Sequence, residues 1–152
     1  MKRTDVAFLL AQVGAHAADL FQQRAAAIGF TRPQAGLLRL IGRQPGQSQQ
    51  AVAQQLGTPP SRLVALVDGL EARGLVERRR NPDDRRNYAL LLTDVGREAM
   101  RELGTVAAAH EADITAPLTE AERAELHALL AKLAEAYGLA PGVHPGYRQL
   151  RA

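Results

Sequence analysis

The sequence predicts a mainly α-helical protein with one small β-hairpin, which we call the wing, and three observations support this fold class. Alanine and leucine dominate the apolar residues, and both favour helices because they lose little side-chain freedom there. Apolar residues recur at helical spacing along most of the 152-residue chain. Residues 75–92 instead contain two short strand-like runs around a polar, arginine-rich stretch.

Two helices are predicted in the N-terminal part of the chain. Apolar spacing places the first helix over residues 5–28, and Gly29 can close it in a left-handed conformation. Thr31 and Gln34 have the spacing of a capping box, which begins a second helix. We expect this second helix to end around Gly42.

A helix-turn-helix is predicted over residues 48–74. Ser48 is expected to cap a third helix that ends at Gly57, and Thr58 is expected to cap a fourth helix. Such a unit needs a small residue where the two helices cross and a positive φ at the turn. Ala53 and Gly57 stand at these two places.

The fourth helix has a predicted inner face and a predicted outer face. The inner face is apolar and consists of Leu63, Leu66, Val67 and Leu70. The outer face consists of Ser61, Arg62, Ala65 and Asp68. Because recognition helices contact base edges with their first turns, this outer face suits the major groove of DNA.

The wing is predicted from the residues that follow Gly74. LVERRR and YALLL are typical of short strands, and the polar segment NPDDRRN between them is too long for a tight two-residue turn. Residues 78–86 hold five arginines and two aspartates. Charge runs are more often solvated surface, but this one directly follows a helix-turn-helix. A long basic tip can enter a narrow minor groove, whose negative potential attracts arginine.

Two further helices and a tail complete the chain. Thr93 is expected to cap a fifth helix, and Thr119 with Glu122 forms a capping box for a sixth. The apolar residues of the sixth helix are expected to face inward, namely Leu126, Leu129, Leu130, Leu133 and Tyr137. The proline- and glycine-rich tail is expected to be loosely ordered.

These elements predict a single domain over residues 1–152, with a winged helix-turn-helix flanked by N- and C-terminal dimerisation helices. The winged helix-turn-helix lobe covers residues 31–92, and residues 139–152 are the C-terminal tail. The helices of residues 1–29 and 93–138 carry more apolar surface than one small winged domain can cover. We therefore expect them to pair two copies of the chain.

Composition argues against several classes of function. The chain has no cysteine, which excludes thiol chemistry, disulfides and thiolate zinc sites. Because it also lacks a nucleophile elbow, a glycine-rich phosphate loop and a His-Glu-x-x-His pair, we expect no enzyme, no cofactor and no metal site. No apolar stretch is as long as a membrane span, which needs about eighteen residues. The apolar run at residues 6–11 is short for an export signal. We expect a cytoplasmic protein.

The segment LVDGLEARGLVERRRNPDDRRNYALLLT, residues 66–93, resembles the recognition-helix end and wing of the MarR family, and the flanking helices extend the likeness through Tyr137. The resemblance implies that Arg86 reaches the minor groove, that Asp84 orients it by an ion pair and that Arg85 can share its role. It also implies a homodimeric repressor on a near-palindromic site in double-stranded DNA. The residues expected to contact DNA are Ser48, Gln49, Pro60, Ser61, Arg62, Ala65, Arg79, Asp84, Arg85 and Arg86.

The recognition helix departs from the family pattern at Val64, Ala65 and Gly69, where polar residues are common. This departure favours contacts with thymine methyl groups and recognition of DNA shape over hydrogen-bonded base readout.

The resemblance further implies a pocket for a small aromatic or carboxylate effector between the dimer helices and the DNA-binding lobe. His16, Arg39 and His110 are expected to line it. A packing role in the core or interface is the alternative for the two histidines. For the whole chain, the alternative is a helical protein-protein interaction module whose basic hairpin binds an acidic partner.

Overall fold

The computed structural model describes residues 5–144 and Tyr147, apart from the side chain of Arg85. Within this part of the chain, six helices and one antiparallel hairpin follow in the order α1 Val6–Ala27, α2 Arg32–Arg43, α3 Gln49–Leu56, α4 Pro60–Ala72, β1 Val76–Asn81, β2 Asp84–Leu92, α5 Asp94–Thr115 and α6 Glu120–Ala136. The predicted fold class, mainly α with a small β-wing, is confirmed.

Side-chain caps begin four of the helices at the predicted residues. The hydroxyl of Thr31 accepts a hydrogen bond from the Gln34 backbone N–H, and the Gln34 side chain accepts one from the Thr31 N–H at 3.1 Å. The hydroxyls of Ser48, Thr93 and Thr119 likewise accept a backbone N–H at the starts of α3, α5 and α6, and only Thr119 among them also has the reciprocal bond, to the side chain of Glu122. These bonds satisfy backbone donors that have no partner within the helix, and so they fix where each helix starts.

The start of α4 differs from the prediction. Pro59 occupies the N-cap position, and the side chain of Thr58 is buried instead of capping the helix. The physical reason is that the two consecutive prolines already hold φ near the helical value and Pro60 has no N–H to satisfy. The backbone N–H of Thr58 donates to the carbonyl of Ala53, which places the threonine in the turn after α3.

The core lies where α2, α3 and α4 pack against the base of the hairpin. Its fully buried large side chains are Leu37, Leu38, Ile41, Val52, Leu63, Leu70, Leu90, Val67 and Val76. They come from every element of residues 31–92, and Ala25 of α1, Leu103 of α5 and Tyr147 extend the same core. The C-terminal end of β2 leads directly into α5.

The tip of the wing is tighter than the sequence predicts. Asn81 pairs with Asp84, so the turn holds only Pro82 and Asp83, and the predicted long turn is wrong. The side chain of Asn81 accepts a hydrogen bond from the Asp83 N–H at 3.0 Å, a local bond that stabilises such turns. The register then shifts between Arg80 and Asn81, which leaves residues 85–87 without partners on β1.

Helix α6 also differs from its prediction. None of its residues is buried in the single chain, and Leu129 is 56% exposed. The apolar residues Leu126, Leu129, Leu130, Leu133 and Tyr137 therefore do not face a core of their own chain. The helical spacing was predicted correctly, but no surface in the described part of the chain covers these residues.

Among the described residues of the tail, Tyr147 is buried in the core, which corrects the expectation of loose order at that position. Tyr147 is 5% exposed, and its hydroxyl donates to the carbonyl of Pro33 at 2.6 Å. Gly36 makes room for the ring, because an added methyl group there would overlap the phenol oxygen. Burial raises the pKa of the Tyr147 phenol. The other predicted tail residues after 144 lie outside the described part of the chain.

Across the described residues, we find no helix with the length and apolar character needed to span a bilayer.

Candidate nucleic-acid interface and ligand cavity

The turn between α3 and α4 fixes how α4 is presented. Gly57 adopts a φ of +64°, in the left-handed region that favours glycine. Ala53 is 3% exposed in the core beside this turn. A connection of three residues, 57–59, joins the two helices, as the spacing predicts.

The outer face of α4 is small and open to solvent. Leu63, Val67 and Leu70 are fully buried, and this packing turns Pro60, Ser61 and Ala65 outward. Arg62 is half-buried at the edge of the same face. A helix start with short side chains can approach a groove wall closely, which suits contact with methyl groups and backbone.

Ser48 and Gln49 are already engaged within the chain. The Ser48 hydroxyl accepts a hydrogen bond from the Ala51 N–H at 3.0 Å as the cap of α3. The Gln49 side-chain oxygen accepts one from the Arg78 Nε at 2.9 Å. Both residues lie at the start of α3, beside α4 and the wing, and they position the neighbouring elements.

Three arginines of the wing are exposed. Arg79 and Arg80 lie on β1, and Arg86 lies on β2 near the tip. Arg79 is paired with Glu77 at 2.6 Å, while its side chain is still 68% exposed. The backbone of Arg85 belongs to β2, and its side chain lies outside the described part of the structure. The wing thus presents cations on both strands.

Asp84 contacts the backbone of Arg86 instead of its guanidinium. Its carboxylate accepts a hydrogen bond from the Arg86 N–H at 3.0 Å and another from the Asn87 side-chain amide at 2.8 Å. The predicted ion pair is therefore wrong in form, because an aspartate next to a turn readily bonds the N–H two residues ahead. Asp84 therefore holds the backbone of Arg86 at the tip of the wing.

The sequence prediction treated Arg78 as part of the basic run of the wing. The structure places its side chain elsewhere. Its side chain is only 15% exposed, and it faces α3 and α4 instead of solvent. The sequence contained a signal for this placement. Arg78 lies two residues after the buried Val76, and alternate residues of a strand share a face.

A cavity of about 560 Å³ lies between α1, α2, α5 and the segment that follows α6. Three arginines of α2 line it, together with His144 and the buried Tyr147, and much of the remaining wall is apolar. The lining residues are Ala18, Phe21, Arg32, Pro33, Ala35, Gly36, Arg39, Leu40, Arg43, Leu56, Met100, Leu103, Gly104, Ala107, Gly142, His144 and Tyr147. None of the described residues that line the cavity is acidic, so the cavity suits an anion with an apolar body.

The surroundings of the cavity lower the pKa values of two of its lining residues, Arg39 and His144. Loss of water around the guanidinium and the nearby Arg43 both lower the pKa of Arg39. Burial, followed by the charge of Arg32, lowers the pKa of His144. Cations that are crowded in this way gain from a bound anion, because the anion reduces their mutual repulsion.

The structure brings Arg39 to the cavity but places His16 and His110 outside its lining. His110 packs edge-to-face against Phe21, with ring centroids 5.5 Å apart, and its Nδ1 is buried without a hydrogen bond in the described part of the chain. Burial is the main cause that lowers the pKa of His110, followed by the charge of Arg24. His16 is exposed on α1. Within the described residues, we find no group of three or more histidines and carboxylates placed to hold a metal ion.

Comparison with known proteins agrees with this geometry. The model of the MarR family matches residues 28–87. A Thauera aromatica protein named as a transcriptional regulatory protein for the hcr operon is 36% identical over 105 residues, which are 69% of this chain and 63% of that relative. The match thus spans somewhat less than two thirds of that relative's length.

Two solved structures extend the likeness along the chain. The transcriptional repressor CouR, bound to a 23-mer DNA duplex, is 33% identical with a TM-score of 0.77, covering 86% of this chain and 92% of CouR. A MarR family protein of Mycobacterium tuberculosis in complex with p-aminosalicylic acid is 26% identical with a TM-score of 0.69, covering 86% of this chain and 99% of that one. These matches, in sequence and in fold, show that the chain belongs to the MarR family.

Proposed function

We propose that this protein is a cytoplasmic transcription regulator that binds a specific site in double-stranded DNA as a homodimer. The observation that carries the proposal is the exposed start of α4 beside the exposed arginines of the wing. The first turns of α4 would enter the major groove, and Arg86 would enter the adjacent minor groove. The similarity to CouR, a repressor bound to a DNA duplex, supports this use of the fold and favours repression.

Base recognition would depend on apolar contact and DNA shape. The outer face of α4 offers Ser61 and Ala65 near its start, and Val64 and Gly69 are half-buried. The methyl group of Ala65 or the hydroxyl-bearing side chain of Ser61 can contact the C5-methyl of thymine. The arginines of the wing would favour A·T-rich flanks, where the minor groove is narrow.

The homodimer is supported by two exposed apolar faces that no other element of the described residues covers. On α1 these residues are Val6, Phe8, Leu9, Leu10 and Val13. On and after α6 they are Leu126, Leu129, Leu130, Leu133, Tyr137 and Leu139. A large apolar surface of this kind marks an interface, and a second copy presents the same faces in a two-fold arrangement.

Release from DNA by a small aromatic carboxylate completes the proposal. The cavity joins α2, which belongs to the DNA-binding lobe, to α1 and α5. A ligand that touches both parts can favour one relative position over another, and so shift the protein away from its DNA-bound form. The complex of the Mycobacterium tuberculosis relative with p-aminosalicylic acid supports this class of ligand.

The first test is the salt dependence of binding to a duplex selected from fragments of the source genome. If six to ten phosphates are contacted, the logarithm of the binding constant should fall with the logarithm of salt concentration at a slope of about minus 5 to minus 9. Fluorescence anisotropy measures this slope. A flat response, with tight binding to an acidic protein instead, would favour the interaction module.

The role of the wing is tested by Arg86→Ala. We expect binding to the selected duplex to weaken about tenfold or more and the salt slope to become shallower by about 1, because a contact with the DNA backbone is lost. Arg101→Ala is the matched control, since Arg101 is an exposed arginine of α5 paired with Glu98. Equal binding by both variants would refute the assignment of Arg86.

The dimer interface is tested by Leu129→Glu on α6. A charge in a buried apolar contact is costly, so we expect this variant to be monomeric at micromolar concentration in sedimentation or light scattering. Ala65→Glu adds the same charge on the exposed face of α4 and should leave the dimer intact. A dimeric Leu129→Glu, or a monomeric parent, contradicts the proposed interface.

The effector site is tested with p-aminosalicylate as the probe and calorimetry as the measurement. Removing one charged hydrogen-bonding partner should weaken binding of the probe by about tenfold or more in Arg39→Ala. His16→Ala is the control, because His16 lies outside the cavity lining and should leave binding unchanged. The reverse result would move the effector site to the histidines.

A further inference from the structure

Arg78 makes four contacts that join three elements of the DNA-binding lobe. Its Nε donates to the Gln49 side chain on α3 at 2.9 Å. On α4, it contacts the carbonyl of Val64 at 3.3 Å, a carboxylate oxygen of Asp68 at 2.7 Å and one of Glu71 at 3.2 Å. The planar guanidinium thus donates its hydrogen bonds to acceptors within the chain.

The two carboxylates that Arg78 pairs with lie on the proposed recognition helix. The side chains of Asp68 and Glu71 are 59% and 45% exposed, three residues apart on α4. Without a cation beside them, they would place two negative charges close to the DNA phosphates. Paired with Arg78, the group carries one net negative charge, and its field at the DNA is correspondingly weaker.

The geometry of the guanidinium gives Arg78 a second effect. It bonds the side chain of α3 and the backbone and side chains of α4 from one strand of the wing, and a planar fork fixes direction as well as distance. The base of the wing is therefore tied to the recognition helix. A lysine would keep the charge but would lose this fixed direction.

We propose that Arg78 is a positioning residue for DNA binding that does not contact DNA itself. It holds the wing at a set angle to α4, and it screens Asp68 and Glu71 from the phosphates. The inference rests on the proposed function, and it separates Arg78 from the exposed arginines of the same basic run, Arg79, Arg80 and Arg86.

The test compares Arg78→Met with a triple variant that also carries Asp68→Asn and Glu71→Gln. Anisotropy over a range of salt concentrations measures binding to the duplex selected with the parent, and circular dichroism with thermal melting measures folding. We expect Arg78→Met to bind about tenfold or more weakly with the salt slope of the parent retained to within about 0.5, because no phosphate contact is lost. Arg86→Ala, in contrast, makes the slope shallower.

The triple variant and Arg78→Lys test the two effects separately. The triple variant should regain at least about threefold of the lost affinity, because the carboxylates that needed screening are neutral. Arg78→Lys should bind more tightly than Arg78→Met but less tightly than the parent, because it restores charge without the fork. Arg78→Lys also keeps the test open if Arg78→Met fails to fold.

Three outcomes would overturn the inference. A slope shallower by about 0.9 in Arg78→Met would show that Arg78 contacts a phosphate. A triple variant that binds no better than Arg78→Met would refute screening, and an Arg78→Lys equal to the parent would refute the positioning effect. Each comparison needs a parent that binds the duplex, so failure of the parent would count against the proposed function instead.

Discussion

The burial of one face of α4 is the constraint on which the rest of the candidate interface depends. Leu63, Val67 and Leu70 are fully buried in the lobe core, and only one face of a helix can be turned to a core in this way. The opposite face must then be exposed along with the helix start. Because Gly57 allows a tight turn after α3, this exposed start projects beside the wing.

Charge is distributed so that position matters more than the total. The formal net charge is only +3, yet the cations fall into groups with different surroundings. Arg80 and Arg86 are exposed on the wing, Arg78 is enclosed by acceptors at its base, and the arginines of α2 line the cavity. A single basic composition can thus serve surface recognition, internal positioning and the binding of a small anion.

Local features of the sequence could be predicted, and features that join distant residues could not. Capping depends on residues that are three apart in the sequence. The starts of α2, α3, α5 and α6 were therefore predicted correctly. The two-residue turn of the wing was not predicted. The run of polar residues indicated a longer turn, and it did not reveal the hydrogen bond that the Asn81 side chain accepts. Tyr147 and Pro33 are 114 positions apart, and no periodicity indicates such a contact. The cavity was expected from the resemblance, but of the three residues predicted to line it, the structure places only Arg39 there. The spacing of apolar residues does not give the rotation of α1 and α5 about their own axes, so it could not place the two histidines.

Hydroxyl-radical footprinting on the duplex selected from the source genome tests the central claim most directly. Two recognition helices in a two-fold dimer should protect two half-sites whose centres lie about 10 base pairs, or one helical turn, apart, with further protection in the flanking minor grooves. The account predicts this symmetric pattern at low ionic strength, with the flanking protection lost when Arg86 is replaced. Uniform cleavage of every duplex, with the protein folded and in excess, would contradict it.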